Sequence, residues 1–159
     1  MKKLTFVLLL LLVPALLQAE QIGFKVGGVE FNDPGVFGSN TAPVIGTEIL
    51  LKYDSYDMDF RLSFDFCNEG KQVVMISPAL KYNFPSDYLW PYIGAGMELV
   101  LINGTPQRHA LGPVFFGGIE PFIGKDITLF IEIKFIEAKS GNLDLGSKSI
   151  NWGIRWLLK

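Results

Sequence analysis

The sequence predicts an all-β protein, an eight-stranded antiparallel up-and-down transmembrane β-barrel. Three observations predict it. Eight short segments alternate in hydrophobicity. The clearest is Met58-Asp59-Phe60-Arg61-Leu62-Ser63-Phe64-Asp65-Phe66, where every second residue is large and apolar and the residues between are mostly charged. Side chains on a strand alternate faces, so this segment has one apolar and one ionic face. An export signal precedes the segments, and no amphipathic helix follows to cover their apolar faces. That combination suits a closed barrel with lipid outside and charges inside.

Residues 1–19 read as a cleaved signal peptide. Lys2 and Lys3 form the positive region, Leu4 to Leu17 the apolar stretch, and Leu17-Gln18-Ala19 a cleavage site. The apolar run is short of the ~20 residues of a membrane-spanning helix. No Cys lies near the cut, so no lipoprotein anchor is expected. Residues 20–159 then form one barrel domain, with no linker or appended domain expected. The full chain carries 14 basic and 16 acidic residues, net −2, and loss of Lys2 and Lys3 makes this −4. No basic block is present, so no nucleic-acid partner is expected. Cys67 is the single cysteine, which excludes an internal disulfide.

The strands are expected at 21–31, 43–53, 57–67, 72–84, 91–102, 109–122, 127–137 and 147–158. Strands of ~10 residues, tilted, cross the hydrocarbon. An even count puts both termini on one side. The connections at 32–42 and 138–146 are the longest, and with 68–71 and 103–108 they are rich in Gly, Asn, Pro or Ser. These four are expected outside, with short turns and both termini in the periplasm.

Period two assigns the faces. On the second strand Ile45, Thr47, Ile49, Leu51 and Tyr53 point to lipid, and on the third Met58, Phe60, Leu62, Phe64 and Phe66. The fourth gives Val74, Ile76, Leu80, Tyr82 and Phe84, and the fifth Ile93, Ala95, Met97, Leu99 and Leu101. The seventh gives Ile127, Leu129, Ile131, Ile133 and Phe135, and the eighth Ile150, Trp152, Ile154, Trp156 and Leu158. The first and sixth strands are Gly-rich and leave their phase open. Tyr53, Tyr82, Trp90, Tyr92, Trp152 and Trp156 are expected in an aromatic girdle at the headgroup boundary. Pro78 and Pro113 fall inside strands, and a bulge or shortened pairing is expected near Pro78.

The opposite face collects Lys25, Glu48, Lys52, Arg61, Asp65, Lys81, Glu98, Glu120, Glu132, Lys134 and Arg155. Both signs are present, and buried charges need partners. The interior of an eight-stranded barrel is just wide enough for side chains to fill it. The expectation is an ion-pair network closing the lumen, built on Lys25, Glu48, Arg61, Asp65, Glu98, Glu120, Glu132, Lys134 and Arg155. The competing reading is a narrow polar pore lined by the same groups.

No catalytic, cofactor or metal site is expected. The sole histidine, His109, sits beside Arg108 with no Ser near it in sequence. Ser39, Ser77, Ser140, Ser147 and Ser149 lie in no nucleophile motif. Cys67 has no paired His. Asp54, Asp57 and Asp59 surround a turn expected to be solvated, without calcium-loop spacing. A soluble lipocalin-like carrier would invert the faces, but five large apolar residues per strand overfill a small barrel.

The run Lys81-Tyr82-Asn83-Phe84, a turn, and Pro91-Tyr92-Ile93-Gly94-Ala95-Gly96-Met97-Glu98 form one motif. Gly117-Gly118-Ile119-Glu120, followed by Leu129 to Phe135, forms another. Both resemble stretches of small outer-membrane β-barrels, the OmpX/OmpA-barrel and OmpW-like group, over essentially all of residues 20–159. These motifs encode strand, girdle and turn geometry. The resemblance implies a monomer in the bacterial outer membrane, in contact with its lipid, assembled by the barrel-assembly machinery with periplasmic chaperones. The group includes structural anchors, adhesion-linked surface proteins and small hydrophobic-solute channels. A structural or surface role is the implied function, with a narrow channel for small or hydrophobic solutes, or a lipid-modifying enzyme, as alternatives. The chain departs from the group's aromatic C-terminus by ending Trp156-Leu157-Leu158-Lys159.

Overall fold

A computed structural model describes residues 19–38, 40–53, 57–87, 89–103, 108–121, 126–140 and 143–158. The expected signal peptide before Ala19 lies outside these, as do Ser39, Asp54, Tyr56, Tyr88 and Lys159. The barrel strands are β1 (Gln21–Phe31), β2 (Thr41–Tyr53), β3 (Met58–Glu69), β4 (Lys71–Asn83), β5 (Leu89–Asn103), β6 (Arg108–Pro121), β7 (Ile127–Ile136) and β10 (Ser147–Leu157). A four-residue helix, α1 (Pro34–Phe37), follows β1. A small hairpin, β8 (Lys139–Ser140) with β9 (Leu143–Asp144), fills the connection before β10. Neither feature is expected from the sequence, because each is shorter than a hydrophobic period can mark.

The sheet is antiparallel and closes on itself, β1 pairing with both β2 and β10. Each strand otherwise pairs with its sequence neighbours, as an up-and-down meander requires. Closure leaves no free edge, so every strand backbone has neighbours on both sides. The β3–β4 connection is tighter than expected: Glu69 pairs with Lys71 around Gly70, whose φ is +77°. Only glycine adopts such an angle without strain. Gly70 also lies against Gly38 of the first long loop, where a Cβ would stand 3.1 Å from the Gly38 backbone.

Pro78 makes no bulge. The β4–β5 register is the same on both sides of it, Ile76 facing Leu99 and Ala79 facing Gly96, while Ser77 and Pro78 drop out of the ladder. The Phe84 amide donates to the Pro91 carbonyl at 2.9 Å, so even-numbered amides of β4 point at β5. Pro78 therefore removes one donor, the one facing the Met97 carbonyl. Pro113 acts likewise towards β7. The Glu137 amide donates to its carbonyl at 3.0 Å, but no amide returns, and the β6–β7 ladder stops at Val114–Ile136.

The outward phase matches the sequence on the strands where it was assigned, except at Ile49, which was expected at the lipid face and is buried. Ile45, Phe60, Phe66, Leu80, Ile93, Met97, Leu129, Ile131, Ile133, Phe135 and Ile150 are exposed. The open phases of β1 and β6 resolve the same way, with Phe24, Val26, Leu111, Phe115 and Ile119 outward. The apolar face is thus outside, and the inverted arrangement of a soluble carrier is not the one adopted.

The interior has two layers. Charged residues occupy the half nearer the termini. The half nearer the long loops is mainly apolar, formed by Val29, Phe31, Val44, Cys67, Val73, Met75, Val100, Ile102, Ala110, Val114 and Ile136, with Ser147 and Ser149 of β10 at the same level. The expectation of a charged interior throughout is corrected here. Near the loop end both faces of several strands are apolar, so alternation no longer reports which side is inside. Phe37 of α1 folds over this layer and stacks on Phe31, ring centroids 3.9 Å apart. Leu145, after β9, adds to the cover. The two loops are joined: the Asn32 amide donates to the Gly146 carbonyl at 3.0 Å, and the Asn32 side chain donates to Asp144.

A buried ion-pair network as candidate functional site

The nine residues assigned to the lumen all point inward, each at most 4% exposed. Period two places them there, since eight of the nine follow an outward apolar residue on their strand and Glu48 follows Thr47. They assemble into two chains. In the chain next to the apolar layer, Lys25 pairs with Asp65 at 2.9 Å, Asp65 with Lys134 at 2.6 Å, and Lys134 with Glu98 at 3.0 Å. Lys25 also donates to Ser63 at 2.8 Å, and the Ser77 hydroxyl donates to Glu98. Two cations face two carboxylates, so this chain is balanced.

The second chain lies nearer the termini. Arg61 donates to Glu132 through two nitrogens and stands 3.5 Å from Glu48. Arg155 donates to both Glu48 and Glu120. Lys81 donates to Glu120 and stands 3.6 Å from Asp59. Asn83 donates to Asp59 at 2.8 Å. Arg61, Arg155 and Lys81 here meet Glu132, Glu48, Glu120 and Asp59, one carboxylate more than the cations. Asp59 was expected in a solvated turn. It is 7% exposed and belongs to the network, because β3 begins at Met58 and puts Asp59 in the inward phase.

Tyr92 is a correction. It was expected in the girdle, but it is 1% exposed inside the barrel, and its hydroxyl donates to Glu132 at 3.1 Å. Its phase is opposite to Ile93 and Met97, which face out. The inward aromatics Tyr92, Phe116 and Phe130 interleave with the cations. The Arg61 guanidinium lies 3.9 Å from the Phe116 ring centre, Arg155 4.0 Å from Phe130, and Lys81 4.5 Å from Tyr92. Cation–π contact strengthens away from water. The inward glycines make room for these rings: a Cβ on Gly94 would overlap Phe116, and one on Gly153 would overlap Phe130.

Other girdle assignments divide. Tyr82 is exposed near the terminus end and packs edge-on against Phe84, centroids 4.9 Å apart. Trp156 lies at the same end, edge-on to Phe24 at 5.8 Å. Trp152 is outward but in mid-strand, opposite Val26 and Ile131, so it is not at a boundary. Trp90 is half-buried in the inward phase at the mouth and donates to the Ser86 carbonyl. The Tyr53 side chain lies outside the described set. Lys52, expected inside, is exposed at the mouth. Among the described residues no cluster of His, Cys, Asp or Glu has the makings of a metal site.

No family model matches the chain, and no curated protein matches it. Solved structures do. Neisserial surface protein A superposes with a TM-score of 0.73 at 12% identity, covering 87% of this chain and 96% of that one. The N-terminal β-barrel domain of Pseudomonas aeruginosa OprF gives 0.66 at 14% identity, covering 88% and 98%. The outer membrane enzyme PagL gives 0.54 at 13% identity, covering 87% and 99%. At such identities the likeness establishes the fold and leaves activity open. The chain has the fold of the small eight-stranded outer-membrane β-barrels.

Proposed function

We propose that the protein is a closed, non-conducting barrel of the bacterial outer membrane with a structural or surface role. One observation carries this reading. The lumen is crossed by paired charges and then, nearer the loops, filled by packed apolar side chains under Phe37. A hydrated pore needs a continuous polar path, and the apolar layer interrupts it. The exposed apolar belt suits outer-membrane lipid as its surroundings. Export through residues 1–19, delivery by periplasmic chaperones, insertion by the barrel-assembly machinery, and a monomeric state belong to the same proposal.

An enzymatic reading has less support. His109 is exposed on the outer face of β6, whereas Ser63, Ser77, Ser147 and Ser149 are buried on the inner face. A nucleophile and its base must be within hydrogen-bond reach, and the wall separates these.

The test is planar-bilayer conductance of refolded protein, with a phospholipid and lipopolysaccharide hydrolysis assay on the same preparation. Silence in both is expected. Large, stable channels would make the charges a pore lining, and steady hydrolysis would make the barrel an enzyme.

A further inference from the structure

A large cavity lies on the outer wall of the barrel. It is a groove of about 980 Å³ between two rows of outward side chains. One row runs through Phe24, Thr47 and Phe64, the other through Val26, Ile45 and Phe66, each in register across β1, β2 and β3. The floor is backbone. Lys25 and Asp65 contribute only theirs, because their side chains pair with each other inside the barrel. Barrel strands tilt, so the rows run obliquely. The groove starts at Pro121, the last residue of β6 at the terminus end, and reaches Val74, near the start of β4 at the loop end.

Beyond that loop end stands a row of amides. Asn68, Gln72 and Asn103 hold the outward positions next to Phe66, Val74 and Leu101, and they face one another across β3, β4 and β5. All three are exposed. The Asn103 side-chain nitrogen donates to the Gln72 side-chain carbonyl at 3.1 Å, which leaves the Gln72 amino group and the Asn103 carbonyl for a guest. The row carries no charge. Lys71, the neighbouring cation, is in the inward phase of β4 and is engaged within the chain.

We propose that the groove and the amide row form one binding site for a sugar-headed lipid, with an acyl chain in the groove and sugar hydroxyls on the amides. The proposal rests on the membrane-embedded reading above. An extended peptide would carry unpaired amides into hydrocarbon, and the closed sheet offers it no edge. An acyl chain brings no such groups. Neighbouring hydroxyls of a sugar donate and accept together, which matches the free donor of Gln72 and the free acceptor of Asn103. A phosphate only accepts, and it favours a cation. From Phe66 to Trp152 the groove crosses three interstrand gaps, about 15 Å, so the far half of an acyl chain held at the amides passes Trp152.

The experiment is fluorescence quenching of the refolded barrel in phosphatidylcholine bilayers. Trp90→Phe and Trp156→Phe leave Trp152 as the reporter. Guest lipids share acyl chains brominated near the methyl end and differ only in the head, which is glucosyl, phosphocholine or phosphoglycerol. The glucosyl guest should associate at least about threefold more strongly than the phosphocholine guest, the worth of one hydrogen bond. Gln72→Leu with Asn103→Leu should abolish that preference and leave quenching by the phosphocholine guest intact, which shows the barrel still folded. Thr47→Phe, which fills the groove between Phe24 and Phe64, should abolish the preference as well. Equal association of the three guests, a preference for phosphoglycerol, or a glucosyl preference that survives either change would overturn the proposal. Quenching of Trp152 by none of the lipids would instead overturn the membrane-embedded reading on which it rests.

Discussion

Arg61 and Glu132 face each other across the full diameter of the barrel. Arg61 stands on β3 and Glu132 on β7, four strands apart by either route around the closed sheet. Lys134 and Asp65 make the same crossing in the opposite sense, cation on β7 and carboxylate on β3, at 2.6 Å. Two antiparallel charge pairs thus tie the same two walls together.

Removing one partner should cost more than removing both. Arg61→Met or Glu132→Leu alone leaves a buried charge, and about 3–5 kcal/mol of stability should be lost. The double variant replaces the pair with apolar groups and should recover much of that loss. Urea titrations of the three variants in lipid vesicles complete the cycle, and additive losses would show that the two side chains are not coupled.

Conductance should depend on both layers. Arg61→Ala should leave the barrel closed, because the apolar layer is intact. Phe37→Ala should leave it closed as well, because the ion pairs remain. Only the combination should leak in planar bilayers. A leak from Arg61→Ala alone would show that the apolar layer is no barrier.

Pro78→Val should stabilise the barrel. The substitution restores an amide facing the Met97 carbonyl and keeps an apolar side chain on the exposed face. A gain of about 0.5–1.5 kcal/mol, the ordinary worth of a hydrogen bond, is expected in the same urea assay. No gain would mean that the Met97 carbonyl is already satisfied.

The three tryptophans should separate by depth. In single-Trp variants, lipids brominated along the chain should quench Trp152 strongly and Trp156 when the bromine lies near the headgroup. Trp90, in the inward phase at the mouth, should answer to an aqueous quencher instead. Lipid quenching of Trp90 would restore it to the girdle.

The fold was legible wherever one face of a strand was apolar and the other charged. Met58 to Phe66 is the clearest case, and Leu129 to Phe135 the next. Legibility failed where both faces were apolar, as along Val73, Val74, Met75 and Ile76, and there the apolar inner layer went unnoticed. Tyr92 was misplaced by residue type, since aromatics near strand ends suggest a girdle. The run of outward residues from Ile93 to Leu101 already put it on the other face. Asp59 was grouped with Asp54 and Asp57 around the turn, although the strand expected at 57–67 already put it on the face opposite Met58 and Phe60. The partner of each charge was not legible, because which strands lie opposite depends on closure and on register, and neither is local in sequence.

Pairing across a diameter has a consequence for assembly. Neighbouring strands can zip one by one, each gaining its hydrogen bonds as it docks. The charges of β3 and β7 cannot do this. In a half-built sheet their partners are several strands away, and they must stay in water or in a shielded chamber. Their electrostatic reward arrives together, when β1 meets β10 and the walls are brought opposite each other. Closure is therefore the step that commits the barrel, and an open sheet of these strands has no stable place within hydrocarbon.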